Sequence, residues 1–190
     1  MTAHRARSEL VIFTIGHSTR SLDEFIQLLR LNKIERVIDI RAIPTSRRHP
    51  QFASEALGTA LRRAAIGYTH LKSLGGFRRA RPDSANLGWR NKSFRGFADY
   101  METPEFEAGL ASVVKLAEAK PSALMCAERV PWRCHRSLVA DALLVRGLRV
   151  EEIVSGSRPK RHELTPFARV AGTTITYPSD QRSLPYLPRV

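Results

Sequence analysis

The sequence predicts one α/β domain in three layers, a mostly parallel sheet of about five strands flanked by helices in the Rossmann/flavodoxin-like manner. Short β-rich apolar runs alternate along the chain with segments of helical spacing, and parallel neighbours need such crossover segments between them. The interior runs, such as Val37-Ile38 and Ala123 to Ala127, are almost wholly apolar, as strands covered on both faces are. A chain of 190 residues with 43% hydrophobic content suits one domain able to bury a substantial core.

Val11 to Gly16 reads as the first strand, and Ser21 to Leu29 follows with helical spacing, Ser21 serving as N-cap and Glu24 completing a capping box. Val37 to Arg41 is the second strand, interrupted by Asp39 and Arg41; Ala53 to Ala65 forms the second helix and Tyr68 to Leu71 a short third strand. The stretch at about 75–97 is rich in Gly, Arg and aromatics and has no clear period, which predicts an inserted functional loop or lid. Thr103 caps a helix running from about Glu105 to Ala119, with Pro104 in its first turn. Ala123 to Ala127 is the fourth strand, Ser137 to Leu144 an amphipathic helix stopped at Arg146-Gly147, and Val150 to Val154 the fifth strand. From Ser155 the prolines at 159, 166, 178, 185 and 188 predict irregular chain. The domain is therefore set at 1–170 and the tail at 171–190, and there are no internal repeats.

The formal charge of +13 and pI of 10.8 make polyanions natural partners, so a phosphate-bearing small molecule or nucleic acid is expected. Arg outnumbers Lys roughly fourfold, and charge scattered over solvated faces is the plain alternative. No apolar run approaches the roughly 18 residues of a spanning helix, and Met1 to Leu10 lacks a signal-peptide core. The expectation is a cytoplasmic protein with no membrane partner and thiols kept reduced, two cysteines being too few for a disulfide framework.

Both cysteines fall in the run Met125-Cys126-Ala127-Glu128-Arg129-Val130-Pro131-Trp132-Arg133-Cys134-His135-Arg136, on a strand-to-helix crossing. Ligands gather at the carboxyl edge of an open parallel sheet, so polar residues after different strands should converge there. These are His17 and Ser18 after the first strand, Asp39 and Arg41 at the end of the second, and Glu128, Cys134, His135 and Arg136 after the fourth. Cys134, beside a helix start, His135 and Arg136, has the setting that lowers a thiol pKa and is the candidate nucleophile, with half-buried packing as the alternative. Cys126, inside the apolar strand, reads as core; were both sulfurs to face the crevice, a redox pair would form.

His17 and Glu128 are candidate acid-base groups, with helix capping and a salt bridge as their ordinary roles. Asp39 and Arg41 share one strand face and either pair structurally or clamp a ligand. Arg47, Arg48 and His49 follow Pro44 in a loop where arginine can bind phosphate bidentately, with Arg47 the candidate ligand and a solvated charge run the ordinary alternative. Trp89 and Arg90, with Phe94 and Phe97 among arginines, form a candidate stacking surface for bases, or a loop pinned by its own aromatics. A tetrahedron of Cys126, Cys134, His135 and His17 is disfavoured by the spacing, C-x7-C instead of a close pair with an adjacent His that should diverge, so no metal and no cofactor are expected. The phosphate-binding P-loop and the Rossmann glycine fingerprint are absent.

Thr14-Ile15-Gly16-His17-Ser18, Asp39-Ile40-Arg41 with Pro44 and Ser46-Arg47, Leu74-Gly75-Gly76, and Cys126-Ala127-Glu128 followed by Cys134-His135-Arg136 resemble the DUF488 family in order and spacing. The resemblance covers Phe13 to about Val170 and implies a shared site without naming a reaction, since the family is one of unassigned function. Two readings follow from the residues. One is an enzyme holding a phosphate- or nucleotide-bearing substrate against its arginines while Cys134 attacks or His17 and Glu128 move protons. The other is a non-catalytic nucleic-acid-binding module built on the basic aromatic loop.

Overall fold

Backbone pairing joins the apolar runs into one sheet. In the computed structural model, which describes residues 10–45 and 48–179, the strands are β1 (Val11–Gly16), β2 (Arg36–Asp39), β3 (Gly67–His70), β4 (Ser122–Cys126), β5 (Arg149–Ile153) and β6 (Lys160–Arg161). Their spatial order is β3-β2-β4-β1-β5-β6. The first five are mutually parallel, and the short β6 runs antiparallel on the edge. The three-layer α/β domain expected from the sequence is what forms. Its strand order differs from both usual doubly wound orders.

Five helices are described: α1 (Leu22–Leu31), α2 (Ser54–Arg63), α3 (Lys92–Tyr100), α4 (Pro104–Ala119) and α5 (Arg136–Leu144). Alternation along the strands sends successive side chains to opposite faces. Ala123 and Met125 of β4 join Phe25, Leu29, Leu57 and Leu61 of α1 and α2. Leu124 and Cys126 join Phe97, Phe106, Leu110 and Leu138 of α3, α4 and α5. The capping box is half made: Ser21 Oγ accepts from Glu24 N at 3.1 Å, but the Glu24 carboxylate accepts from Arg20 Nε at 3.0 Å. Thr103 caps α4 as expected, accepting from Phe106 N at 3.3 Å.

Two segments differ from the sequence expectation. The insert is loop only as far as Asn91, whose side chain caps α3 by accepting from Ser93 N at 2.8 Å. Part of the chain after Ser155 is ordered as β6 and an antiparallel hairpin of β7 (Arg169–Ala171) and β8 (Thr174–Thr176). A knot of buried polar groups holds it. Asp141 on α5 accepts from Tyr177 Oη at 2.9 Å, Thr165 Oγ1 at 2.7 Å and His162 Nε2 at 2.9 Å. Tyr177 in turn ties down the insert, its backbone N donating to Asn86 Oδ1 at 2.8 Å. The prolines at 185 and 188 lie outside the described residues.

After β1 the chain crosses to α1 on one face of the sheet, and after β4 it crosses to α5 on the other. Because β1 and β4 are neighbours, their carboxyl ends diverge into a crevice, the place where open α/β sheets bind ligands.

Candidate functional site

The crevice opens into a cavity of about 650 Å³ whose walls include His17 and Ser18 after β1, Arg41 after β2, Cys126 and Glu128 at the end of β4, and Cys134 and His135 at the start of α5. Close approach of two strand ends builds it. A Cβ on Gly16 would lie 1.8 Å from the Glu128 carbonyl oxygen, so only glycine lets the loops pack this tightly. His17 N then donates to Cys126 O at 3.1 Å and Ser18 N to Ala127 O at 2.7 Å, with Ser18 at a φ of 48°. Both loops are thereby fixed to β4.

On one side stands a fixed cation. Asp39, fully buried, accepts from Arg41 Nε at 2.9 Å, Arg41 Nη2 at 2.6 Å, Arg41 N at 3.0 Å and Tyr68 Oη at 2.7 Å. Arg41 Nη1 reaches His17 Nε2 at 3.4 Å, while His17 Nδ1 lies 3.0 Å from Ser18 O. The imidazole is thus neutral, its Nδ1–H donating to Ser18 and its Nε2 lone pair turned to the guanidinium. Burial, reinforced by the Arg41 charge, lowers the His17 pKa to about 4, and the ring stacks on Phe52 at 4.4 Å between centroids. His17 therefore steadies Arg41 and carries no acidic proton at neutral pH. Of five guanidinium N–H donors, this arrangement leaves at most two for a ligand, one on Nη1 and one on Nη2.

On another side stands a sulfur and imidazole cluster. Cys126 ends β4 and Cys134 sits just before α5, each nearly sealed from solvent. His135 Nδ1 lies 3.8 Å from Cys126 Sγ and 3.8 Å from Cys134 Sγ. His135 Nε2 lies 3.1 Å from Ile40 O and so carries the proton, which turns the Nδ1 lone pair toward the sulfurs. The Arg136 backbone N–H donates to Cys134 Sγ at 3.5 Å. A hydrogen bond from Cys134 holds the Cys126 thiol below its ordinary pKa, with the Arg136 charge adding to the effect. The same bond, together with burial, pushes the Cys134 thiol up. With these two residues alone in play, the more acidic thiol is Cys126, the residue read from sequence as core, and not Cys134.

Several other expected ligands stand elsewhere. Arg136 is 1% exposed and spends its guanidinium on backbone carbonyls, with Nη1 donating to Ile15 O at 3.0 Å and to Glu128 O at 3.0 Å; it braces the crevice floor and does not face the ligand space. Asp39 reaches Arg41, not the cavity. Trp89 is folded inward, its ring centroid 4.8 Å from Phe94 and 4.9 Å from Phe167, so its face is not open to a base. Arg90 is exposed outside the cavity lining, and Arg47 lies outside the described residues. Glu128 and Ser18 do line the space. Arg48, from the loop after Pro44, also lines it, as do two residues that sequence reasoning passed over, Arg133 and Phe77. Phe77, 82% exposed with a φ of 62°, gave no pattern to find it by; Arg133 lay within the cysteine run itself.

The sequence profile of the domain of unknown function DUF488 matches residues 21–143, a span that holds Arg41 and the whole sulfur and imidazole cluster. Comparison with curated proteins and with solved structures gives no match. Among the described residues, no helix is long and apolar enough to cross a membrane.

Proposed function

Since the chain belongs to the DUF488 family, described as a domain of unknown function, we propose a function from its site: a cytoplasmic enzyme that takes a phosphate-bearing small molecule into the crevice and reacts it at Cys126, Cys134 and His135. The observation that carries this reading is the placement of Arg41. Three contacts to a buried carboxylate and one to a neutral imidazole fix a guanidinium on the wall of a cavity that also contains two sulfurs and an imidazole. A guanidinium organised in this way recognises phosphate oxygens at low entropic cost. Arg48 and Arg133, exposed on the same lining, extend the positive rim, and Glu128 supplies a carboxylate within the space.

Calorimetric titration with inorganic pyrophosphate tests it. Arg41→Gln and Arg48→Gln should each weaken binding by about 10-fold to 100-fold, the worth of a charge-assisted hydrogen bond, while Arg90→Gln should leave it unchanged. Equal weakening by all three would show an unspecific charge effect and end the proposal.

A nucleic-acid ligand is the second reading, favoured by the charge of +13 and by Phe77 and Trp132, exposed by 82% and 72%. Under it, affinity for a single-stranded oligonucleotide falls steeply with salt. Phe77→Ala or Trp132→Ala then costs about 1–3 kcal/mol for each lost stack. Binding that is indifferent to both substitutions would exclude stacking as its basis.

A further inference from the structure

We propose that Cys126, Cys134 and His135 hold one thiophilic divalent cation of the zinc class, with a fourth coordination position open to the cavity. The sequence argued the other way, because C-x7-C is too wide for a knuckle and a histidine next to Cys134 should point elsewhere. The fold removes both objections. The turn at Pro131–Arg133 brings the start of α5 back over the end of β4, and the contact of His135 Nε2 with Ile40 O at 3.1 Å rotates the ring so that Nδ1 faces both sulfurs.

The distances fit a metal. The three donor atoms lie within 4.8 Å of one another, and each Sγ to Nδ1 separation is 3.8 Å. Tetrahedral zinc with ordinary Zn–S and Zn–N bonds sets sulfur and nitrogen ~3.6 Å apart and the two sulfurs ~3.8 Å apart, so each sulfur–nitrogen pair contracts by only ~0.2 Å on ligation and the sulfurs, which lie within 4.8 Å, draw together toward ~3.8 Å. One imidazole lone pair cannot accept from two thiols at full strength, and two sulfurs equidistant from it are what a shared cation would organise. The outer contacts agree. A ligating histidine donates its other N–H to a carbonyl or carboxylate, as His135 does to Ile40. The backbone N–H of Arg136 points at Cys134 Sγ, stabilising negative charge there. Glycine at position 76 keeps the approach clear, since a Cβ there would sit 2.9 Å from His135 Nδ1. Among the described residues this is the one group of three such side chains with converging donor atoms.

Two thiolates and an imidazole select soft or borderline cations over magnesium and calcium. Binding displaces the remaining thiol protons to solvent and leaves a locally neutral centre. His17 is not the fourth ligand, because its Nε2 is turned to Arg41. All three ligands line the cavity, so the fourth position takes a water or an oxygen of the incoming anion, the arrangement of catalytic and not of structural zinc sites. The role of that open position rests on the function proposed above; the binding of metal does not.

The test uses the full chain, stripped with chelator under reductant and titrated with cobalt(II) alone. Expected are one equivalent bound, a thiolate-to-cobalt charge-transfer band, and displacement of that band by one equivalent of zinc. Cys126→Ser, Cys134→Ser and His135→Gln should each weaken binding on the order of a hundredfold or more, and His17→Gln should leave the band intact. Circular dichroism of each variant separates lost ligation from lost fold, and cadmium-113 resonance on the unsubstituted chain reports the sulfur count independently. Absence of the charge-transfer band in the reduced chain, a cadmium shift inconsistent with two sulfurs, or binding that survives all three ligand substitutions would overturn the proposal. Loss of the band in His17→Gln would overturn the open position. Pyrophosphate titration of the stripped chain keeps the two readings apart: Arg41-dependent binding without metal affinity leaves the anion site standing, and metal affinity without pyrophosphate binding does the reverse.

Discussion

Raising the pH should loosen the knot that holds the C-terminal hairpin, and the size of the effect follows from His162. Both ring nitrogens face carboxylates, Nδ1 at 2.7 Å from Glu152 Oε1 and Nε2 at 2.9 Å from Asp141 Oδ1. A neutral imidazole donates once only, so this double contact requires the imidazolium. Burial works against the charged form, but the two hydrogen bonds and the attendant charges outweigh it and raise the pKa from 6.5 to about 9. A group whose pKa is raised by folding stabilises the native state fully below its unfolded value and loses that contribution as pH climbs through its folded one. The window is therefore 6.5 to about 9, and the stability at stake is about 3 kcal/mol. Urea unfolding at the two ends of the window, run in parallel on the unsubstituted chain and on His162→Gln, isolates the contribution from other titrating groups. The unsubstituted chain should lose about 3 kcal/mol more than the variant over this range. Hydrogen exchange should show β6, β7 and β8 opening first. Parallel pH profiles for the two chains would refute the charged assignment of His162.

Four further outcomes follow. His17, with its pKa lowered to about 4, should stay neutral in NMR titrations down to about pH 5. Its contribution to stability is present above 6.5 and lost as pH falls from there toward about 4, so an imidazole midpoint near 6.5 would contradict the contact with Arg41. Asp39→Asn breaks a buried ion pair and should cost about 3–5 kcal/mol in chemical denaturation, together with most of the pyrophosphate affinity; a loss below about 1 kcal/mol would mean the pair is not the anchor of Arg41. Gly76→Ala places a methyl 2.9 Å from His135 Nδ1 and should perturb the cobalt spectrum with little change in melting temperature, whereas an unaltered spectrum would separate Gly76 from the cluster. Trp89→Ala should destabilise by about 3–5 kcal/mol and leave oligonucleotide affinity unchanged, and the opposite pattern would restore Trp89 as a stacking surface.

The parts of the fold that periodicity can specify were legible in the chain. Five parallel strands and four of the five described helices follow from apolar runs and caps, because each buries its own face and needs no distant partner to be recognised. What escaped depends on long-range contacts. Helix α3 has a glycine at its centre, which lowers helix propensity. That glycine is needed because a Cβ at Gly96 would sit 2.2 Å from the Arg78 carbonyl oxygen. Strands β7 and β8 are three residues each, too short to show alternation, and the tail they belong to is held by Asp141, Asn86 and their partners. Strand order, which makes β1 and β4 neighbours, has no signature in a single sequence.

The candidate site was legible as a meeting of strand ends and illegible in the roles within it. Arg136 reads as a ligand from its place after Cys134 and His135, but its guanidinium has an inward path to three carbonyl oxygens, and chain direction alone gives no hint of that. The same limit applies to the cluster: linear spacing describes ligand sets that share one local turn, whereas here a strand end and a helix start supply the donors. The two halves of the site are also joined at one atom. Ile40, between Asp39 and Arg41, offers its carbonyl oxygen to His135 Nε2, and its backbone N donates to Met125 O at 3.0 Å. A displacement of β2's end that moves the arginine must therefore move the acceptor that orients the imidazole. Anion recognition and the sulfur cluster come from different strands, yet the carbonyl of residue 40 makes the geometry of each a condition on the other.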